Sequence, residues 1–333
     1  MSSITIAVRK YASRLFYIAV QGGFTVFNYV TASRYWSPKT YPDSFKALPS
    51  KPYLYASRIY LPAKNDCSAI RLPLVIQVHG GGFMINNPSA DDPLARFLAD
   101  NVGCVVANID YRKAPQHVFP AGYEDVVAVS RALIDSQDHD IDRTRVILTG
   151  RSAGGNLVLA ACQDKRLRSD LLGVHALYPC CDFRSLAKDK MASRPDPTVP
   201  DGLGKALDEV SRLYLGSMER VEQFENDVRL SPTCFSARAD LPEHVYLVGA
   251  DHDLLCAEAE SMAQQLALGA ERRVTSNGWE ADGVKWDRVK DETHGFDIFG
   301  SRGKEFEEAR LMHKEETYRA MADWMIKVFD VKR

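Results

Sequence analysis

The chain has 333 residues, of which 45% are hydrophobic and 26% charged, and its formal net charge is −2 at pH 7. Proteins that bind nucleic acid usually carry a basic surplus or stripe, so this near-neutral balance argues against a nucleic-acid partner. The seven cysteines are odd in number and contain no C-x-x-C pair, which argues against a zinc site and against a disulfide framework. Buried free thiols in a reducing, cytoplasmic location are therefore expected.

The N-terminal segment, residues 1–35, is predicted to form one or two helices, and a proline-rich connector follows at 37–52. Its apolar run is too interrupted for a transmembrane helix, which needs roughly 20 consecutive apolar residues. A signal peptide would have an earlier apolar core and a cleavage site with small residues. The segment is therefore expected to stay on the chain as a helical part, and a membrane-surface or signal role is the alternative.

Beyond residue 52, short apolar runs alternate with longer helical patterns. Strands are predicted at 55–61, 73–79, 104–109, 145–149, 174–178, 244–249 and 284–290. Helices are predicted at 93–101, 121–135, 153–164, 257–268 and 304–329. Strands that alternate with helices indicate βαβ units, and nearly continuous apolar strands indicate that helices cover both faces of the sheet. The fold class is therefore predicted to be α/β, with a mostly parallel central sheet flanked by helices.

Residues 184–232 break this alternation. The stretch is polar, contains several prolines and one predicted helix at 202–216, and is too long for a plain loop. It is therefore predicted to be an insertion with helices of its own. The later stretch ERRVTSNGWEADG, residues 271–283, is hydrophilic and is predicted to be a long connection before the last strand.

The pentapeptide Gly150-Arg151-Ser152-Ala153-Gly154 lies between a predicted strand and a predicted helix. A G-x-S-x-G nucleophile motif requires this position, because the sharp strand-to-helix turn exposes the serine hydroxyl. The helix that follows adds free N–H groups and a partial positive charge. Ser152 is therefore predicted to be a nucleophile for acyl transfer, and the alternative is a glycine-rich turn with a serine helix cap.

Three consecutive glycines in HGGGF, residues 79–83, follow a predicted strand. Such glycines can turn successive backbone N–H groups toward one point with no side chain in the way. Gly81, Gly82 and Ala153 are therefore predicted to donate hydrogen bonds to the oxyanion that forms when Ser152 attacks a carbonyl. A phosphate-binding or merely flexible loop is the alternative, and the phosphate reading is weakened because the lysine and Ser/Thr of a P-loop are missing.

In the G-x-S-x-G arrangement an acid and then a histidine follow the serine along the chain. His294 lies in DETHGFDIF after the last predicted strand, where the ligand crevice of an α/β sheet is found. His252, which follows the strand at 244–249, is the alternative base. Asp251 and Asp253 both qualify as the acid by position. Asp253 is preferred because it begins the next helix, although it would also serve there as a helix cap.

Together these motifs resemble those of the hormone-sensitive-lipase-like carboxylesterases of the α/β-hydrolase fold, from about residue 53 to the end. The matching stretches are HGGGF (79–83), DYRKAPQHVFPAGYED (110–125), GRSAGGN (150–156), YPCCD (178–182), DHDLLCAE (251–258) and HGF (294–296). The resemblance implies a triad of Ser152, Asp253 and His294, with the acid in a D-x-L segment. It also implies a catalytic domain at 51–333 and a helical cap over the acyl pocket, formed by residues 1–50 and the insertion at 184–232.

Two features depart from the family pattern. Arg151 stands where the family usually has aspartate, which reverses the charge next to the nucleophile. This arginine would either steer an acidic substrate or alter local hydrogen bonds. The connection at 271–283 is also unusually long and polar. Both features indicate a specialised member of the family.

The hypothesis that follows is hydrolysis of a carboxylic ester through an acyl-enzyme on Ser152, with no metal and no organic cofactor. The expected partner is a small-molecule ester, for which the resemblance implies a short-to-medium acyl group. Peripheral membrane contact through the N-terminal segment and a homodimer are further expectations. Two alternatives stay open: the same site used for acyl transfer, elimination or cyclisation, and a binding protein that keeps the fold without the chemistry.

Overall fold

The structure is a computed structural model. It describes residues 40–63, 71–137, 141–196, 198–204, 206–299 and 303–330, together with five isolated positions between residues 12 and 23. Apart from those five positions, the predicted N-terminal helical segment at 1–35 lies outside the described residues. Its part in a cap and the domain boundary near residue 50 therefore stay predictions. Within the described residues, no helix has both the length and the apolar character that a membrane crossing requires.

A mixed β-sheet forms the centre of the described part of the chain. Its ten strands are β1 (Ser44–Lys46), β2 (Ser57–Tyr60), β3 (Leu72–Val78), β4 (Val105–Ile109), β5 (Ile141–Arg151), β6 (Leu171–Leu177), β7 (His244–Ala250), β8 (Arg273–Val274), β9 (Gly278–Ala281) and β10 (Val284–Val289). Their order across the sheet is β1-β2-β4-β3-β5-β6-β7-β10-β9-β8. The middle of the sheet, from β4 across to β10, is parallel, and antiparallel pairs extend it at both edges.

Helices pack on both faces of this sheet. The α-helices of the described residues are α1 (Asp92–Leu98), α2 (Ala121–Ile134), α3 (Ala153–Ala161), α4 (Ala187–Ala192), α5 (Leu207–Leu215), α6 (Met218–Phe224), α7 (Cys256–Leu266) and α8 (Lys304–Asp330). A π-helical turn, Ala99–Gly103, continues α1, and short 3-10 turns lie at Pro88–Asp91, Arg168–Asp170, Pro232–Cys234 and Arg238–Asp240.

Strand β3 shows why the central strands are apolar throughout. Leu74, Ile76 and Val78 belong to a core shared with α2 and α3, whereas Val75 belongs to a second core shared with α1 and α8. All four side chains are fully buried. Successive residues of a strand point to opposite faces, so a strand that is covered on both sides has no position left for an exposed polar residue.

The predicted α/β class with a mostly parallel sheet is confirmed, and the seven predicted strands correspond to β2 to β7 and β10. The interpretation of 271–283 as a loop connection was wrong, because β8 and β9 lie there and extend the sheet beyond β10. An antiparallel strand near the edge of a sheet can bury only one face. Trp279 and Ala281 of β9 are buried and alternate with the half-buried Glu280. The stretch as a whole is hydrophilic, so its composition did not indicate a strand.

The predicted insertion at 184–232 contains α4, α5 and α6. The helix predicted at 202–216 is shorter in the structure, where α5 spans Leu207–Leu215. Helix α5 lies over the glycine loop, which is the stretch 79–83, since a Cβ atom on Gly82 would lie 3.6 Å from Val210 Cγ1. Helix α4 is tied to α7 by an ion pair between Lys190 and Glu258. The insertion therefore packs on the side of the sheet that carries the predicted site.

The six cysteines of the described residues are all unpaired, and all but Cys234 are buried. Burial raises the pKa of the Cys104 and Cys162 thiols, so both stay protonated near neutral pH. Cys67 lies outside the described residues. These observations agree with the expected free thiols, and the cytoplasmic location stays a prediction.

Candidate active site

Ser152 is the single residue between β5 and α3, at the sharp turn that joins them. Its φ of 52° and ψ of −122° are uncommon for a residue with a side chain, and such a conformation persists only when its surroundings hold it. The Ser152 N–H donates to Leu177 O at 2.9 Å, and the Ser152 carbonyl accepts from the Asn156 N–H at 3.0 Å. Ala153 begins α3, so its N–H has no partner within the helix. The predicted nucleophile turn is therefore present.

A chain of two hydrogen bonds joins Ser152, His294 and Asp253. His294 Nε2 lies 2.9 Å from Ser152 Oγ, and His294 Nδ1 lies 2.7 Å from Asp253 Oδ2. Asp253 is only 1% exposed, so bulk water does not compete for its carboxylate. With the proton on Nδ1, the imidazole can take the hydroxyl proton at Nε2 while the carboxylate orients the ring.

The sheet topology brings together residues that lie 142 positions apart along the chain. Ser152 follows β5, Asp253 follows β7 and His294 follows β10, and these strands are parallel in one sheet. The carboxyl ends of parallel strands lie at the same edge, which is where ligands bind in open α/β sheets. The three side chains therefore meet although no two of them are near one another in sequence.

The structure separates Asp253 from Asp251, which the sequence left as alternatives. Asp253 contacts His294, whereas Asp251 Oδ1 lies 3.7 Å from Arg288 Nη1. The other carboxylate oxygen of Asp253 accepts a hydrogen bond from the Leu255 N–H at 2.9 Å. Asp253 thus orients the histidine and caps the turn before α7 at the same time.

The pKa of His294 lies above its ordinary value. Burial by itself would lower this pKa, but the charge of Asp253 and its hydrogen bond outweigh burial, and the charges of Asp201 and Asp297 add to them. The raised pKa favours the imidazolium, which is the form that His294 takes after it accepts a proton. The surroundings of the ring are therefore suited to a general base.

Asp201 of the insertion is a site residue that sequence reasoning missed. Its carboxylate accepts hydrogen bonds from the N–H groups of Leu254, at 3.0 Å, and Leu203, at 2.8 Å. Burial and the charge of Asp253 raise the pKa of Asp201. Because Leu254 follows Asp253 directly, Asp201 ties the insertion to the turn that carries the acid. An aspartate in a polar, proline-rich stretch carries no sequence signal for this role.

The glycine loop lies alongside Ser152. A Cβ atom on Gly80 would lie 3.3 Å from Ser152 Cβ, so loop and nucleophile are adjacent. Gly81 and Gly82 have φ angles of +123° and +57°, which residues with side chains rarely adopt. The Gly81 carbonyl accepts a hydrogen bond from the Ile85 N–H at 3.0 Å, whereas the N–H groups of Gly81 and Gly82 donate to no backbone group of the described residues. These two N–H groups stay available as donors.

Arg151 is buried, which decides between the two expected roles, steering an acidic substrate and altering local hydrogen bonds. Its side chain is 5% exposed and pairs with Asp91 and Asp297, so its charge is neutralised inside the protein. Burial by itself would lower the pKa of Arg151, but the charges of the two aspartates raise it well above its ordinary value. The expectation that Arg151 steers an acidic substrate is therefore wrong, and its effect is on local interactions.

A cavity of about 760 Å³ lies beside His294. Its lining combines apolar side chains, among them Val199, Phe299 and Phe306, with charged ones, among them Glu292 and Arg310. These two phenylalanine side chains are 53% and 42% exposed. The volume is in the range of small-molecule sites, but the lining is more polar than such sites usually have.

One group within the described residues has the spacing of metal ligands, and it comprises Asp251, His252 and Asp291, whose ligand atoms lie within 4.8 Å of one another. His252 Nε2 lies 3.8 Å from Asp291 Oδ1, and the Asp291 side chain is 65% exposed. The group is separate from the hydrogen-bond chain of Ser152, and spacing alone does not identify a metal site. His252, the alternative base, thus lies beside Asp291, while His294 contacts Ser152.

Comparison with known proteins places this site in a family. The profile of the alpha/beta hydrolase fold matches residues 75–296, which is more than half of the chain. The chain belongs to the alpha/beta hydrolase fold family. The sequence-based recognition of a hormone-sensitive-lipase-like carboxylesterase is confirmed by this match and by the esterases among the relatives of this alpha/beta hydrolase.

Two relatives and one solved structure show how far the similarity extends. Human arylacetamide deacetylase-like 2 is 38% identical over 131 residues, which are 37% of this chain and 32% of that protein. Esterase LipI of Mycobacterium tuberculosis is 29% identical over 204 residues, 60% of this chain and 61% of that protein. The matches thus span about a third of the human relative and three fifths of the mycobacterial one. The esterase of Pyrobaculum calidifontis has a TM-score of 0.71 at 22% identity, with 98% of both chains covered, and shares the fold of this alpha/beta hydrolase.

Proposed function

We propose that this protein hydrolyses carboxylic esters and that Ser152, His294 and Asp253 are its catalytic triad. The proposal depends on one observation, the hydrogen-bond chain in which His294 Nε2 lies 2.9 Å from Ser152 Oγ and Nδ1 lies 2.7 Å from Asp253 Oδ2. The strained serine turn and the adjacent glycine loop support it, because acyl transfer needs an exposed nucleophile and donors for an oxyanion. The esterases among the relatives support the same class of reaction.

In the first half of the reaction, Ser152 Oγ attacks the carbonyl carbon of the ester while His294 Nε2 accepts the hydroxyl proton. Asp253 holds the Nδ1 proton and stabilises the imidazolium that forms. The carbonyl oxygen becomes an oxyanion, for which the N–H groups of Gly81, Gly82 and Ala153 are the proposed donors. The imidazolium then gives its proton to the alcohol oxygen as the ester bond breaks, and the acyl group stays on Ser152.

In the second half, a water molecule attacks the acyl carbonyl and His294 accepts its proton. A second oxyanion forms at the same donors. When it collapses, the bond to Ser152 Oγ breaks and His294 returns a proton to that oxygen, which releases the carboxylic acid. The imidazolium and the oxyanion exist only during the reaction. The interactions that stabilise them, with Asp253 and with the N–H donors, therefore lower the barrier rather than tighten substrate binding.

No specific observation favours the two alternatives. The proposal of acyl transfer, elimination or cyclisation depended on Arg151 and on 271–283. Arg151 is neutralised inside the protein, and 271–283 contains β8 and β9 of the central sheet. A binding protein without chemistry would be expected to lack a triad member, whereas the three side chains are hydrogen-bonded.

The decisive experiment compares the wild-type protein with Ser152→Ala on p-nitrophenyl esters of increasing acyl length, from C2 to C12. The wild type should release p-nitrophenol with a preference for short-to-medium acyl groups, and Ser152→Ala should fall to the background rate. A fluorophosphonate probe should label the wild type only. Wild-type-like turnover by a verified Ser152→Ala protein would refute the proposal, and a labelled protein without ester turnover would point to a specialised substrate.

The cytoplasmic location, the homodimer and the membrane contact stay predictions. Deleting residues 1–35 tests the last of these, because a truncated protein that still sediments with membranes excludes contact through that segment. Gel filtration with light scattering gives the mass of the protein in solution and tests the homodimer.

A further inference from the structure

Arg151 bridges two buried aspartates from distant parts of the chain. Its Nη1 lies 2.7 Å from Asp297 Oδ2, and its Nη2 lies 2.7 Å from Asp91 Oδ1. None of the three side chains is more than 5% exposed. Charged groups are buried at this depth only when they are paired, so the three side chains form one unit.

Each member of this unit lies in or close along the chain to a segment of the proposed active site. Arg151 immediately precedes Ser152, and Asp297 follows His294 by three residues. Asp91 ends the turn Pro88–Asp91, which follows the glycine loop. One guanidinium group therefore links the segments that carry the nucleophile and the base to the turn that follows the glycine loop.

The two aspartates differ in how many other groups besides Arg151 stabilise their carboxylates. Asp297 also accepts hydrogen bonds from the hydroxyl groups of Tyr178 and, at 2.9 Å, of Tyr318. Lys314 is a second cation near Asp297, and burial lowers its pKa. Asp91 is 2% exposed, and besides its ion pair with Arg151 its carboxylate has no hydrogen-bond donor among the described residues. The charge of Asp91 is therefore balanced chiefly by its ion pair with Arg151.

The links to Asp297 reach the catalytic histidine itself. The ring of Tyr178, which donates to Asp297, packs edge-on against the His294 ring with centroids 4.7 Å apart. Arg310 of α8 also donates to Phe296 O in the same segment. The histidine segment is thus held by α8, through Arg310 and Tyr318, and by Arg151 and Tyr178.

We infer that Arg151 is a positioning residue that sets the separation of Ser152 and His294. The inference rests on the proposed ester hydrolysis. Proton transfer needs the two heavy atoms at hydrogen-bond distance, and a displacement of about 1 Å in a catalytic group costs about 100-fold in rate. Arg151 holds the turn of Ser152 to the histidine segment with a planar fork that reaches two carboxylates at once.

The test uses the full-length protein, p-nitrophenyl acetate and three variants. Arg151→Lys keeps the charge but presents one ammonium in place of the fork. Asp297→Asn keeps the shape of the partner and removes its charge. Arg112→Lys is the matched control, because Arg112 also binds a fully buried aspartate, Asp125, through two nitrogens, at 2.7 and 3.0 Å. The measurements are kcat, KM and the melting temperature, with assays well below that temperature.

In Arg151→Lys, kcat should fall about 10- to 100-fold with KM changed less than about three-fold. Asp297→Asn should also lower kcat, and it serves as the test if Arg151→Lys does not fold. Arg112→Lys should lower the melting temperature but keep kcat within about two-fold of wild type, because it lies outside the linked segments. Wild-type kcat in both site variants, or a rise in KM alone, would overturn the inference.

If the wild type neither turns over the p-nitrophenyl esters nor reacts with the fluorophosphonate probe, the proposed function is refuted, but this inference can still be tested. Crystal structures of the wild type and Arg151→Lys then provide the test. A separation of Ser152 Oγ and His294 Nε2 that is longer in the variant supports a positioning role, and an unchanged separation excludes it.

Discussion

Gly154 packs so closely on Val78 that a Cβ atom at Gly154 would lie 2.1 Å from the Val78 carbonyl oxygen. Val78 is the last residue of β3, and Gly154 lies in the first turn of α3. The contact therefore sets the glycine loop, which follows β3, against the turn that carries Ser152. The second glycine of the G-x-S-x-G motif is needed because no side chain fits between these backbones.

Gly154→Ala should destabilise the protein by about 1–3 kcal/mol, since an added methyl group in a packed region forces the backbone to move. Urea denaturation measures the change in the free energy of unfolding. Gly202→Ala is the control, because a Cβ atom at Gly202 would meet no other atom within 4 Å, and its effect should stay within about 0.5 kcal/mol. Equal stability of the two variants would contradict the packing argument.

Gly81→Ala should lower kcat by about 100-fold, because a side chain at φ +123° and 2.5 Å from Ile85 O would displace the proposed oxyanion donors. Ester turnover by the purified variant is the measurement. Gly103→Ala is the control, since Gly103 also has a positive φ, of +71°, but has open space around it. That variant should lose some stability and keep its kcat. Full activity of Gly81→Ala would exclude the glycine loop as the source of the donors.

The dependence of kcat/KM on pH should show an acid limb with an apparent pKa above about 6.5, the ordinary value for histidine. Asp253 raises the pKa of His294, and a protonated ring cannot accept the serine proton, so activity is lost as the pH falls through that value. In Asp253→Asn the charge that raises the pKa of His294 is gone and burial lowers that pKa, so the acid limb should move to lower pH. On the plateau above the limb, kcat should fall by up to about 10⁴. An unshifted limb would mean that His294 does not titrate beside Asp253.

Glu258→Gln should cost about 3–5 kcal/mol of stability, because Lys190 is 6% exposed and loses its carboxylate partner, keeping only its hydrogen bond to Asp182 O. The variant keeps an acceptor for the Cys181 N–H, which Glu258 binds at 2.7 Å, so the loss reports on the ion pair. Glu315→Gln is the control, since Glu315 and Arg319 are 62% and 69% exposed and such a pair contributes less than about 1 kcal/mol. Similar urea midpoints for the two variants would show that the link between α4 and α7 contributes little.

The sequence pattern was sufficient to predict elements whose structure depends on neighbouring residues in the chain. The central strands were predicted because both faces are buried, and the turn at Ser152 was predicted because its flanking glycines admit close backbone contacts. The hydrophilic stretch at 271–283 was misjudged, because an antiparallel strand such as β9, next to the edge strand β8, is buried on one face only. The choice between Asp251 and Asp253 needed the structure, since both follow β7 and only Asp253 contacts His294.

The sequence by itself determined the α/β class, the order of the motifs and the identity of the candidate serine and histidine. These features depend on the spacing of apolar residues and on turn residues, which can be recognised within a few positions of the chain. The tertiary structure alone decided which charges meet. Arg151 and Asp297 are 146 positions apart, and Asp201 reaches the acid turn from the insertion. Electrostatic pairing acts through space and leaves no periodic trace along the chain, so the partners of a buried charge are known only once the chain is folded.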